Sequence, residues 1–186
     1  MARYFIGFLL AIGLIILVII LLFSGGGKPQ VPSTTKVLSS FSSTDATTSM
    51  TIDGPVNDPQ NHEQIKIIVS NSDITFEHLK GYDGHVVSVR TYPNTEKSYY
   101  VFLRALMGAK FTNGDTSQSL ADSTGYCPLG NRYIFNLSQE GQTIEQFWTT
   151  NCSGPKTYHG DSNLTVTLFE DQVPNYDDLV ANIQLQ

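Results

Sequence analysis

The chain has no acidic residue before Asp45, only two cysteines, one tryptophan, and four histidines in no paired spacing. Each shortage excludes something. Cys127 and Cys152 have twenty-four residues between them, whereas a thioredoxin-type pair has two. Zinc normally takes four ligands, and His62, His78, His85 and His159 offer no second pair to go with the thiols. Also missing are a nucleophile-elbow serine, a metalloprotease histidine pair and a phosphate-cradling glycine loop. Asp161, Glu170, Asp171, Asp177 and Asp178 concentrate acid near the C terminus without the central glycine of a calcium loop. No cofactor or metal is implied. Two catalytic pairings survive as alternatives. One is a cysteine with His85 or His159, which leaves the other thiol unexplained. The other is Ser49 with Lys66, a combination that any serine-rich chain offers.

Basic charge is short as well. From Asp45 onward eight cations meet seventeen acids, a net of −9, while the first 44 residues carry three cations and no acid. A body this acidic repels phosphate backbones, so nucleic acid is excluded as a partner, and anionic lipid or wall polymers are disfavoured. A solvated surface explains the acids most simply. Attraction to a basic partner or to calcium is the alternative.

What is abundant is apolar sequence at the amino terminus. Tyr4 to Phe23 is an uncharged run of 20 residues. At about 1.5 Å per residue it makes about 30 Å of helix, the thickness of a hydrocarbon core. Residues 4–23 are therefore expected to be a transmembrane helix in the bilayer, with residues 1–3 as a cytoplasmic tip. A cleavable signal peptide is the rival, with Ser24 and Gly26 as a loose cleavage site, but its apolar core usually spans only about 7–15 residues. No cysteine follows the run, which excludes a lipid-anchored lipoprotein. Arg3 before the span and Lys28 and Lys36 after it leave the charge evidence on orientation nearly balanced. Gly7 and Ala11 form a small-xxx-small pair, a spacing common by chance in apolar spans.

Residues 24–49 are rich in Gly, Ser, Thr and Pro and read as a flexible stalk, with Val37, Leu38 and Phe41 available for a short contact. Residues 50–186 then form the body. MTIDG reads as a short strand. Residues 63–70, 73–79 and 85–92 are apolar, β-branched runs separated by Asn71-Ser72 and GYDG, a strand–turn signature. In PNTEKSYYVFLRALMGAKF, Asn94 is the expected N-cap. Tyr99, Phe102, Leu103, Leu106 and Met107 fall on one helix face, and Gly108 marks the stop. Residues 163–170 fit either a strand or a helix. Beyond Pro174, Asn175 is expected to start a short helix carrying Tyr176, Leu179, Val180 and Ile183. Strands and helices do not alternate, so the expected class is α+β, with a mainly antiparallel sheet and a packed amphipathic helix.

Between the cysteines, Tyr133, Phe135 and Leu137 alternate on one arm of a hairpin and Ile144 and Trp148 on the other. A four-residue loop at Ser138–Gly141 would set Leu137 opposite Gln142, Phe135 opposite Ile144, and Cys127 opposite Cys152, whereas a two-residue loop at Glu140-Gly141 would lose the cysteine match. Facing antiparallel residues lie about 4.5–5.5 Å apart at Cα, within disulfide range. The two thiols are therefore expected to clasp a hairpin. Disulfides persist in oxidising compartments, which places the body outside the cytoplasm and the N terminus inside. The sequons at Asn136, Asn151 and Asn163 read as chance.

The strings YPNTEKSYYVFLRALMGAKFTNGD and LFEDQVPNYDDL, with Cys127, Trp148 and Cys152, resemble single-span membrane proteins of the Saccharibacteria type. The resemblance covers most of the chain and implies a bacterial plasma membrane with the body on its outer face. It carries no activity. The expected function is a non-catalytic, membrane-anchored extracytoplasmic module that binds a protein or surface ligand. Tyr158, His159 and Asp161 in the YHGD loop are the candidate contacts. A membrane-anchored hydrolase with an unrecognised site is the runner-up. The two differ in what the fold should present, either a pocket of converging titratable groups or an exposed apolar or aromatic patch.

Overall fold

The computed structural model describes residues 37–185. Among them no helix is long and apolar enough to cross a membrane. The apolar run at 4–23 and the first part of the stalk lie outside the described residues.

The body is α+β. Six antiparallel strands, β1 (Thr47–Asp53), β2 (Glu63–Val69), β3 (Asp73–Lys80), β4 (His85–Pro93), β5 (Arg132–Gln139) and β6 (Gln142–Thr150), form one sheet in the order β4-β3-β2-β1-β5-β6. The helices are α1 (Glu96–Gly108), α2 (Ser162–Glu170) and α3 (Tyr176–Val180). The three strands read from β-branched runs and the turns between them are all present, nearly to the residue.

Strand β1 is central and longer than MTIDG. It begins at Thr47, after a 3₁₀ turn at Leu38–Ser43 that buries Leu38 and Phe41. Residues 38–49, assigned to the stalk on composition, thus contribute to the core. Threonine suits a pleated strand as well as it suits a linker, so composition alone does not separate the two. Along the sheet Met50 pairs with Ile67 and Phe135, and Ile52 with Ile65 and Tyr133. These residues and Phe76 share one core with the helices.

Helix α1 buries Tyr99, Phe102, Leu103 and Leu106, as the stripe predicts, but leaves Met107 exposed. Its ends also differ from expectation. Thr95 rather than Asn94 is the N-cap, its side chain accepting from the Ser98 N–H. At the other end the left-handed residue is Lys110 (φ 58°), not Gly108. The Phe111 N–H reaches back to the Leu106 carbonyl and the Lys110 N–H to that of Met107, the paired bonds of a Schellman stop. Residues 162–170 are helical, capped by Asp161, with Thr165 and Phe169 turned inward and Leu164 outward. Asn175 starts α3 in a left-handed conformation without a side-chain cap bond.

The disulfide is present, with Cα atoms 5.6 Å apart, but the register argued for it is not. The hairpin closes through a two-residue turn, Glu140-Gly141 (φ 53° and 73°), with Gln139 opposite Gln142. Positive φ at both turn residues is the type I′ pattern, whose twist matches that of the strands. A bulge between Leu137 and Ser138 then makes Ile144 the unpaired extra residue, 43% exposed. Phe147, not Ile144, comes opposite Phe135. Trp148 pairs with Ile134 on the other sheet face. The ladder ends at Arg132–Thr150, so the bridge joins two loop residues beyond it. Cys127 is left-handed (φ 53°), and its carbonyl accepts from the Gly130 N–H in the turn leading into β5.

Candidate functional site

The three residues singled out in the YHGD loop directly precede α2, and the fold gives each a distinct surrounding. Tyr158 is 1% exposed. Its hydroxyl bonds Thr165 Oγ1 at 2.7 Å, and burial, with the Asp161 carboxylate nearby, pushes the phenol up. Asp161 Oδ1 accepts from the Leu164 N–H at 3.0 Å as the cap of α2. His159 is exposed, its backbone exchanging bonds with Asn113. Two of the three side chains are therefore engaged in holding the loop to the helix layer. His85 stands at the start of β4, on another part of the sheet, and Lys66 faces Thr51 and Glu77 rather than Ser49.

A polar cluster that spacing does not reveal sits at the end of β1. His62 has no exposed surface; its Nε2 lies 2.8 Å from Asp53 Oδ1 and its Nδ1 3.1 Å from the Pro55 carbonyl. Gln64 Nε2 donates to the same Asp53 oxygen at 3.0 Å, and Arg132 forms an ion pair with the other. Tyr82 stacks on the imidazole at 4.0 Å, and its hydroxyl donates to the Asn57 carbonyl. The nine-residue loop between Asp53 and Glu63 is thus pinned at both ends. A histidine–aspartate pair resembles half of a catalytic relay. Here both ring nitrogens face acceptors inside the protein and none faces solvent, so the group serves as a clamp. Removing Arg132 would strand the buried Asp53 carboxylate without its ion pair, which costs about 3–5 kcal/mol.

The exposed surface of α1 is different in kind. Lys97, Tyr100, Val101, Arg104 and Met107 recur at spacings of three and four, forming one outward stripe. Val101 is 60% exposed, although its neighbours Phe102 and Leu103 are core residues. Between α1 and the end of α2 runs an open groove of about 420 Å³, lined by Val101, Phe102, Ala105 and Leu168 with Lys97 and Gln172 at its rim. A second hollow of about 450 Å³ lies at the start of α1, against Ser42, Thr95, Glu96 and Tyr100. Neither contains His85, His159 or Asp161. Among the described residues no group of three or more acidic, histidine or cysteine side chains is placed to hold a metal.

The stripe combines an aromatic, a valine, a flexible methionine and two cations on a body whose balance is strongly acidic. Lysine and arginine stems cover apolar surface while their heads stay wet, and methionine adapts to irregular partners. Such a surface can seat an apolar segment bearing acidic groups. No protein-family model matches the chain, and no curated protein matches it in sequence.

Proposed function

We propose that this protein is a membrane-anchored, extracytoplasmic binding module in which α1 presents the binding surface. The observation that carries the reading is the outward stripe of Tyr100, Val101 and Met107, flanked by Lys97 and Arg104 and bordering the groove to α2. Exposed apolar and aromatic groups clustered on one element, with titratable groups at the rim and not converging inside, fit recognition better than catalysis. The anchor is the apolar run at 4–23, and the Cys127–Cys152 bridge supports an oxidising compartment, the outer side of a bacterial plasma membrane. The partner is a protein or surface ligand with an apolar face and acidic groups.

A photo-crosslinking residue placed at Val101 or Tyr100 in the full chain, in its own membrane, tests this. One discrete crosslinked species should form from these positions and not from Thr143 on the far edge of the sheet. Val101→Asp together with Arg104→Glu should abolish it while leaving the melting temperature unchanged. Equal crosslinking from Thr143, or none from α1, overturns the assignment.

A further inference from the structure

The two edges of the sheet are finished differently. On β6 the edge is occupied, because Thr157 and Tyr158 both donate their N–H groups to the Trp148 carbonyl and Thr157 Oγ1 accepts the Trp148 N–H at 2.8 Å. Farther along β6, Glu145 is half-buried, and burial raises its carboxyl above the ordinary range. An inward-leaning acid on an edge strand deters pairing with another chain. On β4 the finish is missing. The strand is hydrogen-bonded only to β3, and from His85 to Thr91 every residue but Ser88 is exposed. It carries Val86, Val87 and Val89 as exposed apolar side chains, and Pro93 falls only at its last position. The one side-chain bond to its backbone, among the described residues, comes from exposed Arg90 to the Val89 carbonyl at 3.0 Å.

We propose that β4 pairs with β4 of a second copy of this chain, antiparallel about a two-fold axis at Val89, extending the sheet across the interface. Three observations select this occupant. A bare edge offers alternate N–H and C=O groups that only another extended strand satisfies in series. The β6 edge of a second copy cannot supply that strand because residues 157–158 and Glu145 close it, so head-to-tail stacking is blocked and the closed, two-fold arrangement remains. Charge agrees: β4 contains no acidic residue, so it is a place where two acidic bodies meet without opposing carboxylates.

The bulge in β4, which leaves Val87 outside the pairing with β3, limits the regular ladder to its second half. A register centred on Val89 uses that half. It sets Val89 opposite itself, Ser88 opposite Arg90, and Val87 opposite Thr91. Centring on Arg90 would oppose two guanidinium groups and is disfavoured. The exposed Arg90 side chain gives up its bond to the Val89 carbonyl as the second strand approaches. The inference is independent of what binds α1 and would hold if that surface had no partner.

Both native cysteines are bridged, so Val89→Cys adds the only free thiol. With the full chain in detergent micelles, mild oxidation should convert most of Val89→Cys to a covalent dimer, while Thr143→Cys, exposed on β6, stays monomeric. Light scattering should report a dimer for wild type and a monomer for Val89→Lys, which opposes two ammonium groups at the two-fold. Because Val89 is 43% exposed, the lysine variant should keep the far-UV circular dichroism and the cooperative unfolding of wild type, confirming that it is folded, with a melting temperature that no longer rises with protein concentration. Crosslinking of Val89→Cys no faster than Thr143→Cys, a monomeric wild type, or a dimer that persists in Val89→Lys each overturns the proposal.

Discussion

Tyr99 shows how one buried side chain sets the limits of the fold. It lies in the core beside Thr48 with no exposed surface, and burial pushes its phenol up to about 12 against an ordinary 10. The native state therefore keeps a proton that the unfolded chain gives up. Stability rises with pH only where the unfolded state binds more protons, so here it falls. The contribution is complete below pH 10 and is lost as pH climbs toward about 12, a change of roughly 3 kcal/mol for this shift. Tyr176, raised by burial and by the Glu170 carboxylate, steepens the same limb. Urea titrations from pH 8 to 12 should show wild type weakening steeply above pH 10. Tyr99→Phe should flatten that limb, and an unchanged alkaline slope would mean that the phenol is not the group responsible.

Helix α1 divides two roles along 13 residues, one face sealing the core and the other left bare. Leu103→Asp places an unpaired carboxylate where the side chain has no exposed surface, a cost of several kcal/mol. Val101→Asp, two positions away, should cost less than about 0.5 kcal/mol, as surface changes do. Thermal melts of the two variants check this, and similar losses would mean that the stripe is buried by something else. The inner face was legible from spacing because the apolar positions repeat at three and four over two turns. The outer stripe was not, since Val101 and Met107 look like core residues until their direction is known. At the hairpin, alternation located both arms, but the turn has two residues rather than four, and one extra residue at Ile144 then shifts every later pairing again. A bulge has no signature in composition, so the cysteine pairing was legible and its register was not. The Asp53–Arg132 contact joins residues 79 apart, and only the strand order β2-β1-β5 brings them together. Nothing local in the sequence announces it.

For the whole molecule, the proposed placement of the body rests on the bridge and on the apolar run at 4–23. The bridge spans a sequence separation of 25, and in the loop-entropy picture closing it constrains the unfolded chain by roughly 3–4 kcal/mol. That is a large part of the 5–15 kcal/mol typical of a domain. Cys127→Ser with Cys152→Ser should lower the melting temperature sharply, and reductant should do the same to wild type. Because the thiols lie outside the strand ladder and line neither hollow beside α1, binding through α1 should survive in the double variant below its melting point. Loss of binding with the fold intact would give the thiols a direct role.

The body's placement outside the cytoplasm is the claim on which the functional reading turns, and protease added to intact cells tests it most directly. Digestion should remove the sheet and helices and leave a short membrane-bound fragment carrying the apolar run. A body protected until the cells are lysed would contradict the account.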